Sequence, residues 1–320
     1  MQQPTFADVL DARRMITPYV HRTPTRRYPV LSDMLDADVW VKHENFQVLG
    51  AFKVRGGLNL VGRAPDNHRK SGFISASTGN HGQSVAFAAA TFGSSATIVV
   101  PEAANPLKIR AMQALGADVI QHGAFFEESR ELAERMAEER GARFVHPANE
   151  PLLIAGVGTY SLEIHEDLGE IDYIVVPLGA GSGAAGACIV TDAMSPHTKV
   201  IAVQAASAPA AYESWKQGRL VTVGMQTAAE GLATGGAYEL PQSILRERLH
   251  DFVVVSESRI ASGVVLYMEA TRTLVEHAGA ASLAAALDLK DRLKGKRVVL
   301  VASGANIGPT QIAAAIESGS

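Results

Sequence analysis

Short runs of β-branched and other apolar residues recur along the chain, each followed by a stretch whose apolar positions return at helical spacing. The runs predict strands over 38–42, 72–76, 96–100, 118–120, 171–177, 199–204, 252–255 and 297–302. The stretches between them predict helices that include 83–92, 105–115, 127–139, 184–194, 261–277 and 283–293. The strand runs are almost continuously apolar rather than alternating, which marks strands buried on both faces. Their alternation with helices predicts an α/β protein built on mostly parallel sheets with helices on both faces. Residues 71–148 read strand then helix three times over, enough to close as a small domain. Residues 1–70 and 149–320 would then form a larger domain, with the active site in the cleft between the two.

Composition narrows the function class. Hydrophobic residues make up 47% of the 320 positions and charged residues 19%, so a packed core is affordable and disorder is excluded. The net charge of −4 argues against nucleic acid as a partner, because a phosphate backbone calls for clustered positive charge. The single cysteine, Cys188, excludes an intramolecular disulfide framework and a Cys-rich zinc site. It fits a reducing compartment. The first residues lack the basic start and apolar run of a signal peptide. No stretch approaches the roughly 18 uninterrupted apolar residues of a membrane span. A cytoplasmic protein with no membrane partner is expected.

Three strand–loop–helix turns have unusual compositions. The first, Ser77-Thr78-Gly79-Asn80-His81, carries hydroxyls, an amide and an imidazole into a helix start. A helix N-terminus presents unpaired N–H groups and suits a carboxylate or phosphate; ordinary capping by Ser77 or Thr78 explains the same residues. The second, Gly179-Ala180-Gly181-Ser182-Gly183, lets backbone N–H groups converge on a phosphate. It also resembles a dinucleotide loop, but Gln204 stands where ribose binding wants an acid, so a single phosphate is favoured. The third, Ser303-Gly304-Ala305-Asn306, ends an apolar strand with a hydroxyl that either faces a ligand or caps a helix. Upstream of all three, Lys53 follows Phe52 in a mostly apolar segment. An amine shielded from water loses basicity and can form a Schiff base, whereas an average lysine would pair with a carboxylate at the surface.

Taken in this order, these elements resemble the fold-type II pyridoxal-phosphate enzymes, specifically the serine/threonine dehydratase family with its serine racemase relatives. The family's lysine motif is matched at Lys42, Glu44, Gln47, Gly50, Phe52, Lys53, Arg55 and Gly56. Its S-x-G-N-H-x-Q motif is matched at Ser77, Gly79, Asn80, His81 and Gln83. The resemblance implies a tryptophan synthase beta-like fold, pyridoxal 5'-phosphate as cofactor and an amino acid as substrate. It further implies a homo-oligomer, most simply a dimer. Lys53 would be the Schiff-base lysine, with Phe52 against the pyridine ring and Asn80 on its phenolic oxygen. Gly179, Ala180, Gly181 and Ser182 would hold the phosphate, and Ser303 the pyridine nitrogen. Ser77, Thr78, Gly79, Asn80 and His81 would take the substrate carboxylate. Glu276, in Glu276-His277-Ala278-Gly279-Ala280, resembles a further element near the cofactor.

Departures from the family pattern refine the expectation. Thr78, the second catalytic candidate, stands where serine racemase has the serine that protonates the opposite face, which argues against racemisation. Gln204 and Ala210 replace the two carboxylates of metal-dependent relatives, so no metal activation is expected there. Leu49 and Ala51 replace a threonine and a serine. If they line the pocket, L-threonine, L-serine or a bulkier apolar or aryl analogue such as phenylserine is favoured over hydroxyaspartate; if they pack away from it, they say nothing. The resulting expectation is α,β-elimination to a 2-oxo acid and ammonia. A racemase or β-replacement enzyme, a dinucleotide-binding oxidoreductase and a silent ligand-binding protein are the rivals.

Overall fold

The computed structural model describes residues 1–319. Ten strands run in chain order: β1 (Thr25–Arg27), β2 (Asp38–Lys42), β3 (Phe73–Ala76), β4 (Ala96–Val100), β5 (Asp118–Gln121), β6 (Arg143–Phe144), β7 (Tyr173–Pro177), β8 (Lys199–Ala205), β9 (Asp251–Val255) and β10 (Arg297–Val301). They form a six-stranded sheet of order β1-β2-β10-β7-β8-β9 and a four-stranded sheet of order β5-β4-β3-β6. Every pairing is parallel except β1 with β2. Strands β3, β4 and β7 are buried at every position, as a sheet covered on both faces requires.

The pairing of β2 with β10 joins the beginning of the chain to its end, with Lys42 opposite Val301. The four-stranded sheet is therefore formed by chain inserted between β2 and β7. All three turns singled out above leave the carboxyl ends of parallel strands, β3, β7 and β10, where open α/β sheets gather their ligands.

The structure corrects several elements. The helix expected over 261–277 is two: Glu257–Thr271 stops at Arg272, whose φ of 58° is left-handed, and His277–Asp288 begins after Glu276. Val275 in the intervening loop is fully buried, so the apolar pattern ran on through a loop. The helix expected over 283–293 likewise breaks at Leu289, and Lys290–Leu293 follows it. Strands β1 and β6 leave no apolar run in the sequence because they are short and carry three arginines between them. No helix among the described residues is long and apolar enough to cross a membrane.

Between the two sheets lie the helices Lys53–Gly62 and Pro151–Leu168, locked together by charge. Arg55 is 1% exposed and makes a two-pronged contact with Glu44, at 2.8 and 2.9 Å, and another with Glu163, at 2.7 and 3.0 Å. Lys42 completes the group at 2.6 Å from Glu163. Thr23 donates to Glu44 at 2.5 Å. Two acids and two bases thus neutralise one another inside the protein, and most of their hydrogen-bonding capacity is used. Gln47 clamps the neighbouring strand end by exchanging two bonds with the backbone of His21, at 2.9 and 2.8 Å. The polar residues of the lysine segment therefore hold its shape, and Lys53 alone is left for chemistry.

Candidate active site

Lys53 opens the helix Lys53–Gly62 and is half-buried, with its Nζ donating to Ser182 Oγ at 2.9 Å. No carboxylate among the described residues pairs with it. Burial pulls the amine down to about 8 from the ordinary lysine value. At pH 7 about one molecule in ten then carries a neutral, nucleophilic amine; for an ordinary lysine near 10.4 the fraction is below about one in a thousand. Phe52 lies beside it, the Lys53 Nζ 5.4 Å from the ring centroid and the Phe52 N–H bonded to the Ser303 carbonyl at 3.1 Å.

The 179–182 loop approaches from β7. Gly181 caps the helix Ser182–Met194 with φ of 98°, and no side chain bonds to that helix start. Helix geometry leaves the N–H groups of Ser182, Gly183 and Ala184 without intrahelical acceptors. A Cβ on Gly179 would lie 2.1 Å from the carbonyl oxygen of Gly231, so only glycine permits this approach. Ala180 adds a half-buried methyl group to the loop. The result is a compact ring of backbone donors beside the Lys53 amine.

The first turn presents a second set of donors. Asn80, His81 and Gly82 begin the helix Asn80–Thr91, which again has no side-chain cap. Ser77 Oγ accepts from the Gly79 N–H at 3.2 Å, while the Thr78 hydroxyl has no partner among the described residues. Ser84, one turn further on, donates to the Lys53 carbonyl at 2.7 Å and ties this helix to the lysine. His81 Nε2 sits 3.1 Å from Ser75 Oγ, but its Nδ1 is buried with no partner. Burial and then the Lys53 charge push the ring down to about 3, so it is neutral at physiological pH.

Asn80 is held by two residues from the other sheet's side. Its Nδ2 donates to Glu276 Oε1 at 2.7 Å, and its Oδ1 accepts from Asn306 Nδ2 at 2.7 Å. The Glu276 N–H bonds to the Gly304 carbonyl at 2.9 Å, which places Glu276 against the third turn. Burial raises the Glu276 carboxyl to about 7, against the Lys108 charge and the Asn80 bond. Glu276 was visible in the sequence only through the resemblance, since a lone acid carries no spacing signal.

The candidates are linked through Lys53–Ser182, Phe52–Ser303 and Gly304–Glu276–Asn80, and Thr78 stands in the turn that Ser77 and Gly79 close before Asn80. Leu49 packs into an apolar cluster, whereas Ala51 borders the convergence. Leu49 joins the apolar cluster behind the small sheet, and Ala51 is 1% exposed in a backbone bridge with Gly304. Gln204 accepts at its Oε1 from the N–H groups of Ala211 and Tyr212, so this amide serves a helix start.

A family model described as "Pyridoxal-phosphate dependent enzyme" matches residues 16–304. An L-threonine ammonia-lyase of Thermotoga maritima is 40% identical over 316 residues, covering 98% of this chain and 79% of the relative. An L-threo-3-hydroxyaspartate ammonia-lyase of Saccharomyces cerevisiae is 35% identical over 305 residues, covering 95% and 94%. Among solved structures, maize serine racemase superposes with a TM-score of 0.93 at 30% identity, covering 99% of this chain and 98% of that one. A threonine deaminase from Solanum lycopersicum gives 0.93 at 29% identity, covering 99% and 90%.

Proposed function

The chain belongs to the pyridoxal-phosphate dependent enzyme family, and on that premise we propose that it is an ammonia-lyase for β-hydroxy α-amino acids. The observation that carries this reading is the Lys53 amine, shielded, paired with no acid among the described residues and bonded to the start of the helix that follows the glycine loop.

The donor set fits the cofactor. The N–H groups of residues 179–184 and the Ser182 hydroxyl match a phosphate at a helix N-terminus. Phe52 offers an aromatic face, and Ser303, 5% exposed, a neutral hydroxyl for the pyridine nitrogen. Asn80, oriented by Glu276 and Asn306, keeps one amide hydrogen for the phenolic oxygen. When bound, pyridoxal phosphate supplies an aldehyde that captures an amine and an electron sink for the carbanion.

The protein's own groups do the rest. Lys53 would hold the cofactor through its Nζ, and the same Nζ, once released by the substrate amine, would take up the Cα proton. The Ser77–His81 turn would hold the substrate carboxylate through the N–H groups of Thr78, Asn80 and His81, with the Thr78 hydroxyl beside them, since the Ser77 and Gly79 N–H groups already bond to the Val99 carbonyl and to Ser77 Oγ. Departure of the β-hydroxyl as water leaves an enamine, whose hydrolysis yields the 2-oxo acid and ammonia. The same reading makes 71–148 a small domain, and 1–70 with 149–320 a large one, that meet over the substrate.

A keto-acid release assay with L-threonine and L-serine tests the reading; no release from any β-hydroxy amino acid would end it. Gly179→Val should raise the cofactor dissociation constant at least about tenfold, because the added side chain collides with the Gly231 backbone rather than a movable group. Fluorescence titration of cofactor-free protein measures that change. Since Gln204 is committed to backbone N–H groups, EDTA should leave turnover unchanged, and a loss restored by magnesium would contradict the assignment.

A further inference from the structure

The helix Pro151–Leu168 carries a buried phenol that the elimination chemistry above does not use. Tyr160 is 1% exposed, and its hydroxyl donates to the Gly183 carbonyl at 3.0 Å. Burial raises the phenol well above its ordinary value, so it keeps its proton and stays a donor. Its ring meets Phe52 edge-on, with centroids 6.3 Å apart and planes at 71°. Gly183 completes the group. A Cβ there would lie 3.4 Å from Cε2 and Cζ of Phe52, so the Phe52 ring borders the glycine directly. One side chain thus touches both the aromatic ring beside Lys53 and the first turn of the helix Ser182–Met194.

The choice of acceptor matters because of what lies across the same peptide unit. The Gly183 carbonyl and the Ala184 N–H belong to one plane and point in opposite directions. A bond to the carbonyl fixes that plane and polarises the N–H. That N–H is one of the helix-start donors with no intrahelical acceptor. The phenol is itself held from both flanks. Thr159, the residue before it, accepts from Arg55 Nη1 at 3.2 Å, and Glu163, further along the same helix, binds Arg55 and Lys42. On the other flank a Cβ on Gly186 would lie 2.8 Å from the Gly158 Cα, so the two helices meet backbone to backbone. The buried charge group is therefore connected to the glycine loop through Tyr160.

We propose that Tyr160 is a positioning residue for the cofactor: its hydroxyl aims the Ala184 N–H at the phosphate, and its ring holds Phe52 in a fixed relation to that turn. The inference rests on the assignment of residues 179–184 to the phosphate and adds the group that orients them. Tyr160→Phe removes the hydroxyl alone. The Gly183 carbonyl lies inside the helix and keeps the partner that helix geometry gives it, so no buried acceptor is stranded and the fold should be little affected.

The test titrates cofactor-free protein with pyridoxamine phosphate and with pyridoxamine, followed by fluorescence. Neither carries an aldehyde, so no imine with Lys53 enters the affinity. The wild type should prefer the phosphorylated ligand, and the ratio of the two dissociation constants isolates what the phosphate contributes. Tyr160→Phe should lower that preference by about fivefold, the weight of one hydrogen bond, with pyridoxamine affinity unchanged. Tyr160→Leu, which also removes the ring packed edge-on against Phe52, should weaken pyridoxamine as well, again by about fivefold. A purely structural role would weaken both ligands alike in either variant. An unchanged preference in Tyr160→Phe, equal losses for the two ligands, or pyridoxamine bound as tightly by Tyr160→Leu as by Tyr160→Phe would overturn the proposal while leaving the phosphate assignment intact. A wild type with no preference for the phosphorylated ligand would instead remove the assignment beneath it.

Discussion

Lys53→Ala is expected to lower turnover by about 10,000-fold or more, because one amine both attaches the cofactor and moves the Cα proton. The variant should also lose the visible absorbance of a protein-bound imine while still binding pyridoxal phosphate through the 179–182 loop. Turnover and binding then separate: a large fall in kcat with a smaller fall in cofactor affinity. In the wild type, the rate of covalent cofactor attachment to cofactor-free protein should rise with pH and level off above about 8, following loss of the Lys53 proton. Borohydride trapping at a series of pH values measures this directly. A profile still climbing at pH 10 would mean that the amine is solvated like a surface lysine. Full turnover in Lys53→Ala without an added amine would remove the assignment.

How far the site was legible depends on what kind of interaction builds it. The three turns could be located because glycine, hydroxyl and amide residues interrupt apolar strands, and such interruptions survive in one dimension. The fold class followed from the same strands, whose burial on both faces makes them continuously apolar. Pairings across the cleft were not legible. Asn80 and Glu276 are 196 residues apart, and Asn80 and Asn306 are 226 apart. Neither pair leaves a periodic trace. Glu163 was hidden differently, as one of three acids in the mainly apolar helix Pro151–Leu168, and its partners are Lys42 and Arg55. The substitutions at Leu49 and Ala51 had two readings because side-chain direction has no one-dimensional signature. The structure packs Leu49 against an apolar cluster and sets Ala51 against Gly304, at the edge of the convergence.

The same hidden group yields the largest expected effect on stability. Arg55→Met should destabilise the protein by about 3–5 kcal/mol, the cost of stranding buried carboxylates whose partner has been removed. Glu44 is 0% exposed, and Glu163 would keep only Lys42 as a charged partner. Since whole-domain stability is about 5–15 kcal/mol, the variant should unfold at much lower urea concentration and lose cofactor with it. Arg55→Lys should recover only part of the loss, because an ammonium cannot bridge Glu44 and Glu163 with two forks. The pH dependence has a definite sign. Burial alone would raise the Glu44 carboxyl, but Arg55 outweighs it and holds the group below the usual range. A folded-state value depressed in this way contributes stability above the unfolded value of about 4.3, lost as pH falls through the folded value. The wild type should therefore lose stability below about pH 4 more steeply than Arg55→Met, in which Glu44 no longer has its cation to resist protonation. Parallel acid-unfolding curves for the two proteins, or a loss below about 1 kcal/mol in Arg55→Met, would mean that water reaches the group and that the lysine segment is held by its apolar contacts instead.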